Sequence, residues 1–266
     1  MPDSVAKKAM DVLTRAVDGK LEPYGDGTLS SLLSAMDRDG IDLAVMLPIA
    51  TRPSHFEIVL RNALSIMDGS FGEEARRKIV PFASVHPLDS DFAVHLEEIA
   101  SHGIKGVKFH PYYQDFSLVD PDVVPMFRKI AELGLVVQCH CGFDVGYPDR
   151  FDACGPKEVA VLLRRVPDLV FVAAHLGGSV GHDPHASDEL VDLGCYTDTS
   201  ALECDWMNAE QRRVLKTWPK DRILFGTDFP WTPPAKSADW AASLLPECDR
   251  EAMLSGNALR ILRLKV

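Results

Sequence analysis

Residues 135–142, LVVQCHCG, decide the fold, because this short apolar run leads into His140 and ends at a glycine. Similar runs that end in a histidine are IVPFASVHP (79–87), IKGVKFHP (104–111) and LVFVAAHLGG (169–178). Three further apolar runs are IDLAVMLP (41–48), CYTDTSA (195–201) and ILFGTDFPW (223–231). The runs recur at intervals of about 30 residues, the length of one strand, one helix and two short loops. We therefore predict seven buried strands that alternate with helices.

Amphipathic helical patterns lie between these runs. Thr28 is the predicted N-cap of a helix that ends at Gly40, and Pro156 has the position of a first-turn proline in another helix. Further helices are predicted over residues 4–17, 91–102 and 121–133. Apolar strands joined by helices predict a parallel sheet, since right-handed crossovers cover both of its faces with helix. An open doubly wound sheet and a closed (β/α) barrel both satisfy this pattern.

The titratable side chains favour the barrel. His86, His110, His140 and His175 end the second to fifth apolar runs, and Asp228 lies at the end of the last strand-like run. Catalytic TIM barrels collect such groups at the carboxyl ends of their strands. The sequence therefore predicts that these side chains share one rim.

The amino-terminal part of the sequence contains no strand pattern. The 40 residues before the first apolar run contain two amphipathic helical patterns instead. We predict a single α/β domain over residues 1–266, a TIM-like (β/α) barrel with seven strands that lacks the first strand of the usual eight.

Composition excludes several classes of protein and partner. The 266 residues include 28 Lys and Arg against 39 Asp and Glu, and the net charge of −11 repels nucleic acid and anionic lipid. No apolar run approaches the roughly 18 residues of a membrane span, and the amino terminus lacks the apolar core of a secretory signal, so a cytoplasmic protein is expected. The six cysteines are expected to be structural thiols.

His140 and Asp228 are the candidate metal ligands. An imidazole and a carboxylate at neighbouring strand ends suit Zn²⁺, Fe²⁺ or Mn²⁺. The alternative is a buried histidine and a loop-capping aspartate, each satisfied by hydrogen bonds. His175 is the candidate general base or the partner of a metal-bound water, since its ordinary pKa lies near neutrality, and the alternative is a bond to a loop carbonyl.

Three cationic or polar side chains are candidates for substrate binding. Lys108 and His110 lie two residues apart on one strand, so both side chains face the same side. If that side is the barrel interior, Lys108 must pair with a carboxylate, bind substrate or lose its proton. The alternative is a solvated Lys108 at the barrel mouth, with His110 bonded to the loop. Arg52 follows the first run and could bind a substrate carboxylate, as many surface arginines could.

The motifs GVKFHP, QCHCG, AAHLGG, YTDTSA, ILFGTDFPW and SGNALRIL occur in this order from about residue 29 to the carboxyl terminus. Together they resemble the amidohydrolase-related family, in the branch that contains aminocarboxymuconate-semialdehyde decarboxylase and lactone hydrolases. The resemblance implies a distorted (β/α)8 barrel with one divalent metal, of which Zn²⁺ is expected. It also implies that His140 is a metal ligand, that Asp228 is a ligand and proton acceptor, and that His175 is catalytic.

The chain departs from the family pattern at the first strand. The family has an H-x-H motif there that supplies two metal ligands, and no H-x-H precedes Ile41. Either the true start lies upstream of Met1 or the chain is a seven-stranded variant, and two remaining ligands would hold a metal weakly. In binuclear relatives a carbamylated lysine joins two histidines, and Lys108, His140 and His175 could form that half-site.

Three functions remain open from the sequence. The leading one is a metal-dependent hydrolase of a small carboxylated or cyclic substrate with an ester, lactone or amide bond. The second is a non-oxidative decarboxylase of the same family. The third is a barrel without turnover, because the seam left by a missing strand could bind another chain, which also makes a homo-oligomer a candidate state.

Overall fold

Seven short parallel strands alternate with helices in a computed structural model that describes residues 3–16, 22–144, 146–147, 149–150, 153–179, 184–200 and 209–265. Each strand lies inside one of the seven apolar runs, which confirms the predicted positions. The prediction that all seven are buried is wrong for β1, where Val45 is exposed. The strands are β1 (Ala44–Met46), β2 (Ile79–Pro81), β3 (Gly106–Phe109), β4 (Val136–Cys139), β5 (Phe171–Ala173), β6 (Tyr196–Asp198) and β7 (Ile223–Leu224).

The helices occupy the intervals between strands. No helix among the described residues is both long and apolar enough to cross a membrane. They are α1 (Asp3–Ala16), α2 (Leu29–Asp39), α3 (Phe56–Met67), α4 (Glu73–Lys78), α5 (Phe92–Ser101), α6 (Pro111–Gln114), α7 (Val124–Glu132), α8 (Pro156–Arg165), α9 (Ala174–Gly178), α10 (Asp188–Asp192), α11 (Ala209–Thr217), α12 (Pro234–Ser243), α13 (Glu247–Glu251) and α14 (Asn257–Leu262).

The helix ends follow the sequence signals. The Thr28 side chain accepts a hydrogen bond from Ser31 N at 3.1 Å, and Gly40 ends α2 in the left-handed conformation. Pro156 is in the first turn of α8. A 3₁₀ turn (Pro121–Val123) precedes α7 in the region predicted as one helix, and Val17 of the predicted first helix lies outside the described residues.

Two groups of paired strands form the sheet. β1 pairs with β2, and β3 to β7 pair in chain order. A bridge between Ala83 and Val107 joins the two groups. The buried Gln114 side chain strengthens the join, because its amide donates to Ala50 O and Val85 O while its carbonyl accepts from His110 N. The strands thus follow one another around the barrel from β1 to β7.

A seam separates β7 from β1 in the part of the chain that the structure describes, where no pairing joins the two strands. Helix α2 lies beside this seam. Its Asp37 pairs with Lys78 of α4, and its Asp39 accepts a hydrogen bond from Ala235 N of α12 at 3.3 Å. Helix α2 therefore packs beside both edges of the open sheet.

Alternate strand residues face two different environments. One set, including Val107, Val137 and Phe171, packs in the main core. The other set forms a separate apolar cluster with the last helix, made of Phe82, Val136, Val172, Leu224 and Leu262. This cluster closes the amino-terminal end of the barrel interior, so the open end is the rim that carries the histidines.

Gly106 at the start of β3 supports a first test of this packing. A Cβ there would collide with the Phe82 ring and lie 2.5 Å from Val136 O. Because that carbonyl belongs to the neighbouring strand, we expect Gly106→Ala to lower the free energy of unfolding by about 1–3 kcal/mol in urea titrations. Gly256→Ala is the matched control, since its Cβ meets nothing closer than 3.7 Å and alanine favours the helical backbone. Equal effects of the two changes would contradict the packing described.

Candidate active site

Three side chains meet at the carboxyl ends of β3 and β4. His110 follows β3, His140 follows β4, and Asp144 lies four residues further along the chain. One ligand atom of each lies within 4.8 Å of the other two. Asp144 Oδ2 is 3.2 Å from His110 Nε2 and 3.9 Å from His140 Nε2. Among the described residues this is the only such group of His, Cys, Asp and Glu side chains, and we call it the His-His-Asp cluster.

The two histidines of the cluster are held neutral. Their rings stack with centroids 4.1 Å apart, and the Tyr113 ring stacks on the other face of His110 at 3.7 Å. Burial lowers the pKa of His110 to about 4, although the hydrogen bond to Asp144 opposes the shift. Burial also lowers the pKa of His140 well below its ordinary value, and a proton on His110 or His175 or the charge of Lys108 lowers it further. A neutral imidazole is the form that binds metals.

Asp144 supplies the negative charge of the cluster. Burial alone would raise its pKa, but the hydrogen bonds from His110 and from the Gly146 N–H outweigh burial and lower it. The carboxylate is therefore ionised at neutral pH. His140 Nε2 and His110 Nδ1 are both buried and have no hydrogen-bond partner among the described residues. The Asp144 carboxylate is thus bonded to His110 Nε2 and lies 3.9 Å from the unpartnered Nε2 of His140.

His175 joins the cluster through His140. The distance from His175 Nε2 to His140 Nδ1 is 3.0 Å. His175 and Leu176 both have left-handed backbone angles, with φ of 58° and 57°, a conformation that costs non-glycine residues roughly 1–2 kcal/mol each. Gly178 follows in the same turn and packs against Gly142, where a Cβ on either residue would lie under 3.0 Å from the other's backbone. Glycines after His140 and His175 thus let the two histidines approach.

The carboxylate of Asp198 holds the left-handed turn. Its Oδ1 accepts hydrogen bonds from His175 N at 3.0 Å, Ser200 N at 3.1 Å and Ser200 Oγ at 2.5 Å, and its Oδ2 accepts from Gln138 Nε2 at 2.6 Å. Ser200 Oγ lies 2.9 Å from His175 Nδ1. A buried hydrogen-bond network therefore runs from Gln138 through Asp198 and Ser200 to His175.

Lys108 lies in the barrel interior beneath the His-His-Asp cluster. It is 9% exposed, and its charge helps to lower the pKa of both His110 and His140. No carboxylate of the described residues forms an ion pair with its ammonium. Arg52 is exposed on the loop after β1, ahead of the 3₁₀ turn Pro53–His55. Of the predicted substrate-binding side chains, the structure brings Lys108 and His110 together and leaves Arg52 on the surface.

Asp228 lies at the rim but outside the His-His-Asp cluster. The residue is exposed, and its backbone is left-handed with a φ of 54°. Burial raises the pKa of Tyr113, and the negative charges of Asp144 and Asp228 raise it further, so both carboxylates act on the same tyrosine. The structure therefore brings His140 and His175 into contact and leaves the predicted pairing of His140 with Asp228 as a prediction.

Sequence reasoning missed Asp144, Asp198 and Ser200. Asp144 lies in a loop two residues after Gly142, and no strand pattern marks its direction. Asp198 and Ser200 lie in YTDTSA with a spacing of two, which places both on one side of the chain. Lys108 and His110 have the same spacing, and it could have indicated that Asp198 and Ser200 also point towards the site.

The chain is similar to known proteins over most of its length. A family model described as "Amidohydrolase" matches residues 59–264. No curated protein matches the chain.

Solved structures share the fold at low sequence identity. An uncharacterised TIM-barrel protein from Bordetella bronchiseptica is 19% identical with a TM-score of 0.73, over 97% of this chain and 92% of that one. A 5-carboxyvanillate decarboxylase from Sphingomonas paucimobilis is 19% identical with a TM-score of 0.66, over 88% and 82%. A probable 2-pyrone-4,6-dicarboxylic acid hydrolase from Acinetobacter baumannii is 16% identical with a TM-score of 0.63, over 90% of each chain.

The low pKa of His110 predicts acid destabilisation of the metal-free protein. The unfolded chain binds a proton near pH 6.5, whereas the folded chain binds it near pH 4, so stability is complete above pH 6.5 and falls towards pH 4. We expect the His110 contribution to be on the order of 3 kcal/mol, measured by urea unfolding in chelator at several pH values. His110→Gln should flatten the pH dependence, and His102→Gln, on the surface, should not. The same pH dependence in all three proteins would contradict this assignment.

Proposed function

The chain belongs to the amidohydrolase family, and from that premise we propose that it is a metal-dependent hydrolase of small carboxylated or cyclic substrates. The bond cleaved would be that of an ester, a lactone or an amide. The observation that carries the proposal is the convergence of His110, His140 and Asp144 within 4.8 Å. It supports a metal site built from neighbouring strands β3 and β4, which does not require an H-x-H motif.

The donor atoms of the His-His-Asp cluster fit a divalent metal. Ligands about 2.0–2.1 Å from a tetrahedral Zn²⁺ lie roughly 3.3 Å from one another. Asp144 Oδ2 lies 3.2 Å from His110 Nε2 and 3.9 Å from His140 Nε2. His140 Nε2 is buried and has no partner among the described residues, as a nitrogen reserved for a ligand would. Two histidines and one carboxylate leave a fourth position open, the usual arrangement of catalytic zinc. Such an ion would polarise a substrate carbonyl and lower the pKa of water towards about 7.

Lys108 is the proposed anchor for a substrate carboxylate. An unpaired ammonium in a barrel interior is costly, and an anionic group of the substrate would offset that cost. Because Lys108 and His110 are neighbours on one side of β3, a carboxylate bound by Lys108 Nζ would lie next to the His-His-Asp cluster. Arg52 is exposed on the loop after β1 and is the proposed second contact for a longer or doubly charged acid.

Asp228 is the proposed proton acceptor. Both ring nitrogens of His175 lie within hydrogen-bond distance of protein groups, which makes it a poorer acceptor than an exposed carboxylate. Asp228 is exposed at the rim and influences Tyr113, which stacks on His110. A proton taken by its carboxylate would pass directly to solvent.

Non-oxidative decarboxylation is the second candidate function. The fold is shared with a 5-carboxyvanillate decarboxylase, and a carboxylate held by Lys108 beside the cluster is the geometry that a decarboxylase also needs. Release of carbon dioxide from aromatic and muconate-like acids, compared with ring opening of lactones, distinguishes the two functions.

Metal binding tests the cluster directly. We expect the wild-type chain to bind about one Zn²⁺, and Asp144→Asn to weaken binding by at least about 100-fold because a charged ligand is lost. Asp115→Asn, an exposed aspartate on the neighbouring loop, should leave the affinity unchanged. Titration with Zn²⁺ against a chromophoric chelator measures the affinity of the wild type and of each variant. A larger loss in Asp228→Asn than in Asp144→Asn would show that Asp228 is the ligand and sink the proposed set.

The role of Lys108 separates charged from uncharged substrates. We expect Lys108→Met to raise KM for a carboxylated ester or lactone by about 10–100-fold, the loss of one charge-assisted hydrogen bond, and to change KM little for an uncharged analogue. Lys105→Met, at the start of the same segment, is the control. Equal effects on charged and uncharged substrates would remove Lys108 from substrate binding.

A further inference from the structure

We propose that His175, Ser200 and Asp198 are positioning residues that hold His140 in the tautomer whose Nε2 is free to bind a metal. The inference rests on the proposed function, in which His140 is a metal ligand. The inference concerns which ring nitrogen of His175 and of His140 carries the proton. The hydrogen bonds from Asp198 to His140 determine this in three steps.

The first step is the direction of the bond between Ser200 and Asp198. The Asp198 carboxylate receives three N–H donors, from Gln138, His175 and the Ser200 backbone. An ionised carboxylate can only accept. The 2.5 Å contact between Ser200 Oγ and Asp198 Oδ1 therefore contains the hydroxyl proton of Ser200.

The second step places the proton of His175 on Nδ1. Since the Ser200 hydroxyl proton is engaged by Asp198, Ser200 Oγ can only accept from His175 Nδ1 at 2.9 Å. The backbone carbonyl of Ser200 lies 3.3 Å from the same nitrogen and is also only an acceptor. Both acceptors require Nδ1–H, and an imidazole that carries its single proton on Nδ1 has a bare Nε2.

The third step transfers this requirement to His140. His175 Nε2 without a proton can only accept, so the 3.0 Å contact places a proton on His140 Nδ1. Neutral His140 then has no proton on Nε2, the buried atom that lies 3.9 Å from Asp144 Oδ2 and has no hydrogen-bond partner in the part of the chain that the structure describes. A ligand nitrogen prepared in this way binds a metal without first changing its tautomer.

The left-handed turn at His175 is energetically unfavourable for a non-glycine residue, and the fold nevertheless maintains it. His175 has a left-handed backbone, and its N–H donates to the same Asp198 oxygen that accepts from Ser200. One carboxylate oxygen therefore fixes the backbone of His175 and, through Ser200, the protonation of its ring. A histidine that only filled space would need neither bond.

Nitrogen NMR of the metal-free full-length chain at neutral pH tests the proposal in the wild type. Long-range ¹⁵N–¹H correlations distinguish a protonated ring nitrogen from a bare one. We expect His140 and His175 both to have protonated Nδ1 and bare Nε2. A proton on His175 Nε2 would overturn the proposal.

His175→Phe removes the acceptor and tests the transfer to His140. We expect His140 to change to the Nε2–H tautomer, with Asp144 as its acceptor, and the affinity for Zn²⁺ alone to fall about 10–100-fold. His95→Phe is the matched control, since His95 is bonded to Asp89 outside the network, and both readouts should stay at wild-type values. An unchanged His140 tautomer in a folded His175→Phe protein would overturn the proposal.

Ser200→Ala and Ser200→Thr separate the hydroxyl from the shape of the site. We expect Ser200→Ala to mix the tautomers of His175 and to weaken Zn²⁺ binding, and Ser200→Thr to restore both. Wild-type tautomers and affinity in Ser200→Ala would remove Ser200 and Asp198 from the proposal.

The two hypotheses fail in different experiments. A wild-type chain with the expected tautomers that binds no Zn²⁺ contradicts the proposed function alone. A wild-type chain that binds Zn²⁺ with the reverse tautomers contradicts the positioning alone.

Discussion

One buried carboxylate, that of Asp198, connects three neighbouring strands of the barrel at the level of the active site. It accepts hydrogen bonds from Gln138 of β4, from the backbone of His175 after β5, and from Ser200 after β6. A buried carboxylate is costly unless several donors satisfy it, so these contacts depend on one another. The position of His175, and through it that of His140, follows from where this carboxylate lies.

The barrel interior changes from apolar to polar along the strands. Val136, Gln138 and His140 are alternate residues of one strand and its end, and they enter successively the apolar cluster, the hydrogen-bond network and the His-His-Asp cluster. The two-residue repeat of a strand makes this order unavoidable once one of the three faces the interior. The apolar layer excludes water from below, which strengthens the electrostatic interactions of the polar layers above it.

Local patterns were enough to predict the strands, most helices and the rim of histidines. Apolar runs, Thr28 with Gly40, and Pro156 are signals that act within a few residues, and the structure confirms them. Asp144 could not be predicted in the same way, because its approach to His140 depends on a loop path rather than on strand periodicity. The left-handed turn at His175 was hidden for a related reason, since its stability comes from Asp198, 23 residues away.

The location of the seam bears on which carboxylate can complete a metal site. β3 and β4 lie in the middle of the strand series and have paired neighbours on both sides, whereas β7 pairs only with β6 in the part of the chain that the structure describes. Donors carried by fully paired strands are held at fixed separations, which a metal with a demanding geometry requires. His110 and His140 directly follow the fully paired strands β3 and β4, and Asp144 lies four residues after His140. Asp228 follows the edge strand and is exposed, and the proposed function therefore assigns it the proton and Asp144 the ion.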